Sequence, residues 1–272
     1  MIVVNKESID YCLRKIKSKN PLIHCLTNEI TVNDVANALL AVGASPTMAH
    51  HQAEVEEVTA KSDALLVNLG ATEYIRQIEL SSAVKGKLLV FDPVGVGASK
   101  FRRNFAIDYI KAYKPELIRG NLSEIMALIE GTNTSRGVDS EIKLDTVSEE
   151  SISRSLVDFA HRQNSIVIAT GESDYVSDGK RAYIVSNGSK YMSKFTGSGC
   201  MLSGVLSAFL AAENNLEFAV NALAFYGIAG EIAELNFIDQ PIAFASYKLK
   251  FIDNLSIFES FDNYEVKIKQ II

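Results

Sequence analysis

Short runs of apolar residues alternate along this chain with longer stretches in which apolar positions recur every three or four residues. The short runs are Ala64-Leu65-Leu66-Val67, Leu88-Leu89-Val90-Phe91, Leu117-Ile118 and Ile166-Val167-Ile168-Ala169. Their near-continuous apolarity is the pattern of strands buried on both faces. Between them, Val32, Val35, Ala36, Leu39 and Leu40 repeat at helical spacing behind a capping-box pattern, Thr31 and Asp34. Ile152, Leu156, Phe159 and Ala160 do the same behind Thr146 and Glu149. This alternation predicts an α/β fold, a mostly parallel central sheet with helices on both faces.

After Thr170 the rhythm changes. Asp178-Gly179 and Asn187-Gly188 are tight-turn dipeptides beside two strand-like pieces, Tyr175-Val176 and Ala182 to Val185. They predict an antiparallel excursion at the sheet edge. Helices are expected next over roughly 198–213, 215–236 and 244–258. Phe195 to Ala212 carries no charged side chain, but it opens with loop residues. The roughly thirteen mostly apolar residues left suit a buried helix rather than a membrane span. Gly131 to Lys143, the most polar connector, reads as a surface loop, so residues 1–272 are expected to form one domain.

Composition narrows the function classes. The 272 residues are 47% hydrophobic and 22% charged, which excludes a disordered chain. Lys and Arg number 27 against 33 Asp and Glu, a net charge of −6. No basic cluster relieves that balance, so neither nucleic acid nor a membrane surface is an expected partner. Cys12, Cys25 and Cys200 have no disulfide-framework or CxxC spacing, and Asn5-Lys6-Glu7 turns polar too soon for a signal peptide. A cytoplasmic, reducing compartment is the expectation. His50-His51 lacks the context of a metal site.

Several apolar runs end in a polar residue: Asn68, Asp92, Arg119 and Thr170. Ligands of open parallel sheets bind outside the carboxyl ends of the strands, so an anion and a cation there point to a charged ligand. Polar residues also end strands simply because loops begin there. Thr196-Gly197-Ser198-Gly199-Cys200 leads into Met201-Leu202, Val205-Leu206 and Phe209-Leu210, so a helix is expected to begin at or near Gly199. Glycines before a helix N-terminus admit an anion to backbone N–H groups, or simply allow tight packing. The spacing is neither that of a P-loop nor that of a dinucleotide fingerprint. Cys200 in the first turn is read either as a thiol activated by the helix dipole or as a small buried hydrophobe. Asp92-Pro93-Val94-Gly95-Val96-Gly97 follows one strand, and Arg119-Gly120-Asn121-Leu122-Ser123-Glu124 follows another and opens a helix. Glu124 suits Mg²⁺ directly or through water, or caps Asn121. Arg119 matches a phosphate in shape and charge.

These motifs occur in order with Asn20-Pro21-Leu22-Ile23-His24, Thr27-Asn28, Gly43-Ala44-Ser45-Pro46-Thr47-Met48 and Thr170-Gly171-Glu172. Over residues 10 to 258 the set resembles the hydroxyethylthiazole kinases, thiamine-salvage enzymes of the ribokinase-like superfamily. The resemblance implies ATP- and Mg²⁺-dependent phosphorylation of the hydroxyl of 4-methyl-5-(2-hydroxyethyl)thiazole, and a homotrimer with active sites between subunits. It implies that Met48 and Gly197 bind the thiazole, and that Arg119, Thr170, Asn121 and Gly199 serve the nucleotide. Asp92 and Glu124 become the acids that organise metal and phosphate, with Asp92 also catalytic. Cys200 takes the place of the aspartate base of related kinases. Gln240-Pro241-Ile242 stands where the family usually shows Gly-Pro-Gly, and Ser198 where Ala or Thr is more usual. The alternatives are a sister kinase acting on hydroxymethylpyrimidine and a non-catalytic thiazole or nucleotide sensor.

Overall fold

A computed structural model describes residues 3–133, 148–238 and 241–272. Among them nine strands form one sheet. They are β1 (Leu22–Leu26), β2 (Ser45–Thr47), β3 (Ala64–Asn68), β4 (Leu88–Asp92), β5 (Leu117–Asn121), β6 (Ile166–Thr170), β7 (Asp174–Ser177), β8 (Ala182–Val185) and β9 (Ile268–Gln270). The order is β2-β1-β3-β4-β5-β6-β7-β8-β9. Pairings through β6 are parallel, and those from β6 to β9 are antiparallel.

The continuous apolar runs are explained by two cores. Ala64 and Leu66 of β3 face one core and Leu65 and Val67 the other, as the period of two requires. The first core is covered by α1 (Lys6–Lys19), α2 (Val32–Ala41), α8 (Ser198–Ala212), α9 (Leu216–Leu235) and α10 (Phe244–Ile257). The second lies beneath α3 (Val55–Lys61), α4 (Ile75–Ser82), α5 (Lys100–Tyr113), α6 (Leu122–Asn133) and α7 (Glu149–Gln163). In α8 every residue from Met201 to Ala211 is buried, which is why that stretch carries no charge. Helix α9 is long and apolar enough to cross a membrane, yet 83% of its apolar window is buried inside the protein. It is a core helix, hydrophobic all round because it is covered all round.

Several local expectations are corrected. Thr31 stands at the N-cap of α2 but makes no side-chain cap, and Asp34 instead pairs with Lys248 of α10 at 2.6 Å. Helix α7 is capped by Ser148, whose hydroxyl accepts from Ser151 N at 3.2 Å. Thr146 lies outside the described residues. Gly131 and Thr132 belong to the last turn of α6, and residues 134–143 of the expected loop are outside the described residues.

Asp178-Gly179 does turn β7 into β8. Gly179 has φ +82°, and a Cβ there would lie 2.5 Å from His161 N. Asn187-Gly188 turns no hairpin. The Asn187 side chain accepts from Lys267 N and donates to Glu265 O, both at 2.8 Å, tying the end of β8 to the chain entering β9. Strands β1, β2 and β9 were not legible as strands. β2 and β9 have only three residues each, and β2 contains Pro46, which an edge strand tolerates.

Candidate active site

The parallel strands aim their carboxyl ends at the N-terminus of α8. Gly197 is the N-cap of that helix, at φ +97°, and the helix starts at Ser198, as expected of a start at or near Gly199. The left-handed conformation explains why glycine stands at 197. A Cβ there would also meet Thr31 Cγ2 at 3.1 Å. At Gly199 the space of a Cβ is taken by the Arg119 guanidinium, with Nη1 2.8 Å away. The cradle and the cation of the sequence reading are therefore one structure.

Arg119 sits inside β5, two residues before its end at Asn121, rather than in the turn that follows. It is buried. Its Nη2 donates to Thr170 Oγ1 at 2.6 Å, and Nη1 lies 3.6 Å from Asp92 Oδ2. Thr170 Oγ1 donates in turn to Gly120 O at 3.3 Å. Asp92 ends β4, wholly buried, in register with Asn68 at the end of β3. Its Oδ2 accepts from Asn68 Nδ2 at 3.0 Å and Ser203 Oγ at 2.8 Å. Its Oδ1 is buried with no partner. Burial pushes the Asp92 carboxyl up to about 6, against the pull of Arg119 and with a further push from Glu124.

Glu124 carries out the capping role considered for it. Asn121 Oδ1 accepts from Glu124 N and Glu124 Oε2 accepts from Asn121 N, each at 2.9 Å, a reciprocal cap of α6. Its other oxygen accepts from Gly95 N at 2.8 Å, so Glu124 also pins the Asp92-Pro93-Val94-Gly95 turn. Gly95 takes φ +78° there.

Cys200 lies one residue past that cradle, half-buried. Its Sγ accepts from Asn68 Nδ2 at 3.2 Å and Asn28 Nδ2 at 3.7 Å. The expectation of a dipole-activated thiol is corrected. Burial, then the negative charge of Asp92, raises the Cys200 pKa, and Thr31, Arg119 and Asn68 only partly offset this. Desolvation is the largest influence, because a thiolate withdrawn from water loses much of its hydration.

Not every nominated residue joins this cluster. Met48 follows edge strand β2, half-buried against the first core, three strands from β4. At about 4.8 Å per strand that is roughly 14 Å from the row of Asp92. Conversely, Asn28, Ser203 and the bonding role of Asn68 were not nominated. Ser203 was findable, since it follows Gly199 and Cys200 at helical spacing and shares their face. Asn28 was not, because only the fold brings the loop after β1 to α8.

The model of the hydroxyethylthiazole kinase family matches residues 13–260. That span holds every residue of the cluster. The chain belongs to the hydroxyethylthiazole kinase family. It is 38% identical over 264 residues to hydroxyethylthiazole kinase 1 of Methanosphaera stadtmanae, covering 92% of each chain. The structure of hydroxyethylthiazole kinase from Pyrococcus horikoshii OT3 superposes with a TM-score of 0.84 at 31% identity, covering 98% of this chain and all of that one. A ribokinase-like superfamily protein of Enterococcus faecalis V583 shares the fold, with a TM-score of 0.65 at 12% identity over 94% of both chains. As a member of this kinase family the protein is an enzyme, a phosphotransferase, on a ribokinase-like fold. The Gly-Pro-Gly departure begins at Gln240, outside the described residues.

Proposed function

We propose that this protein transfers the γ-phosphoryl group of ATP to the hydroxyl of hydroxyethylthiazole, a reaction of thiamine salvage. The observation that carries the reading is the meeting of Arg119, Thr170, Asp92 and Cys200 at the N-terminus of α8, in a chain of this kinase family. Phosphoryl transfer is mostly positioning and charge stabilisation. Arg119, Thr170 and Asn121 serve the nucleotide, and the amides around Gly197 and Gly199, with the positive end of α8, receive the transferring group. Gly197 and Met48 bind the thiazole. Cys200 Sγ accepts the hydroxyl proton. Arg119 and the two asparagine amides favour its thiolate, while burial and Asp92 oppose it.

Mg²⁺ fits the acids present. The buried, unpartnered Oδ1 of Asp92 is a hard oxygen donor in need of a partner, and Mg²⁺ takes few carboxylates besides phosphate oxygens and water. Asp92 and Glu124, the latter through water, would hold it. When bound it neutralises phosphate charge.

The proposal includes a homotrimer with shared sites, which would bring Met48 of one subunit to the cluster of another. Exposed apolar Ile30, Leu40, Phe244 and Leu249, on and beside the neighbouring helices α2 and α10, support a subunit contact there. It also includes one catalytic domain over residues 1–272 and a cytoplasmic location, supported by the free thiol at the site.

The test is ADP release from Mg-ATP, with hydroxyethylthiazole and hydroxymethylpyrimidine offered separately. Turnover with the thiazole is expected. Turnover with the pyrimidine alone would make the protein a sister kinase, and thiazole binding without turnover a sensor.

A further inference from the structure

Asn68 occupies the junction between the two reactive groups of the cluster. It is fully buried and closes β3 opposite Asp92. The backbone settles its orientation: Gly70 N donates to Oδ1 at 2.8 Å, a bond that only the amide oxygen can accept. The amide nitrogen is thereby turned the other way, and both of its hydrogens are used. One goes to Asp92 Oδ2 at 3.0 Å and the other to Cys200 Sγ at 3.2 Å. Asn28 is oriented in the same manner, its Oδ1 accepting from Thr31 N at 3.2 Å while Nδ2 points to the same sulfur. A Cβ at Gly70 would lie 2.6 Å from Asn68 Oδ1 and 3.1 Å from Asn28 Nδ2, so glycine at 70 leaves room for both amides. An asparagine that only ended a strand would need the Gly70 bond alone. The nitrogen side of this amide is committed to a carboxylate on β4 and a thiol on α8.

We infer that Asn68 is a positioning residue for phosphoryl transfer: its amide spans Asp92 and Cys200, holds the sulfur in a fixed place beside the carboxylate, and acts on turnover through Cys200. The inference rests on the phosphotransferase reading above and adds to it a fully buried residue that acts through Cys200.

The test is a double-mutant cycle in the full-length enzyme. Asn68→Asp keeps the side-chain volume and the oxygen facing Gly70 but removes both N–H donors. Asn68→Ser is the second variant, should a new carboxylate beside Asp92 prevent folding, and thermal unfolding establishes which variants fold. In the wild-type background a folded variant is expected to lower kcat about tenfold or more, with KM for ATP and for hydroxyethylthiazole within about threefold. In a Cys200→Ala background the same substitution is expected to lower the residual kcat by less than about threefold. Equal losses in the two backgrounds, a loss carried by KM, or no loss would overturn the inference while leaving the kinase reading intact. A wild-type protein that turns over no thiazole would overturn the kinase reading, and this inference with it.

Discussion

Asp92→Asn should move stability and turnover in opposite directions. Asp92 is wholly buried, and burial, ahead of every other influence, pushes its carboxyl from 3.8 up to about 6. The attraction of Arg119 and the hydrogen bonds from Ser203 and Asn68 are already included in that balance. A carboxyl with a native pKa above its unfolded one is disfavoured as an anion by folding. Its contribution to stability is therefore complete below pH 3.8 and is lost as the pH rises through about 6. At roughly 1.4 kcal/mol per pH unit, the interval from 3.8 to about 6 corresponds to about 3 kcal/mol. Between pH 8 and pH 5 the same relation gives the wild type on the order of 1 kcal/mol.

The neutral amide approximates the protonated acid. Its oxygen can go on accepting from Asn68 and Ser203, and it does not titrate. Urea unfolding of both proteins at pH 8 and pH 5 reads the difference, since the titrating groups that do not feel Asp92 cancel between them. The variant should be the more stable at pH 8, by up to about 3 kcal/mol, and the gap should narrow by on the order of 1 kcal/mol at pH 5. Its kcat should fall further than that of Cys200→Ala, because the site loses its charge at the phosphate-organising position. Parallel pH dependences would refute the argument from burial, and an active Asp92→Asn enzyme would refute the catalytic role of the charge.

Three further substitutions probe the same cluster. Cys200→Ala should fold and retain measurable turnover, with kcat reduced by roughly 10²–10⁴-fold, the usual worth of a general base. Cys200→Asp should match or exceed the wild-type rate and lose the alkaline rise in kcat expected of a thiol whose pKa is raised by burial, as initial rates across pH would show. A folded but inactive Cys200→Asp counts against the base assignment. Gly199→Ala puts a methyl group 2.8 Å from Arg119 Nη1 and must displace it from Thr170. Overpacking of that kind costs about 1–3 kcal/mol. Thermal unfolding should show the loss, and KM for ATP should rise more than KM for the thiazole; unchanged values would mean that Arg119 gives way freely.

Much of the molecule could be read along the chain. The four central parallel strands, the edge hairpin around Asp178-Gly179 and the three long helices near the C-terminus follow from apolar period and turn chemistry, which are local properties. So does the glycine-led start of α8, because a left-handed N-cap has few other residues to choose from. Strands of three residues carry no period to read, which is why β2 and β9 escaped. Whether Thr31 or Ser148 works as a cap of its helix turned on one side-chain bond each.

The residue types of a phosphotransferase were in the sequence, and their order sufficed for the family. Their joint state was not. Two features raise a thiol at a helix N-terminus instead of lowering it: Cys200 is partly withdrawn from water, and Asp92 lies opposite. An arginine occupies the anion cradle because β5 runs beside the start of α8. Local pattern determines which elements form and which polar groups stand at their ends. Burial and charge proximity are sums over neighbours distant in sequence, so only the folded chain decided which of those groups share a proton, a charge or a hydrogen bond.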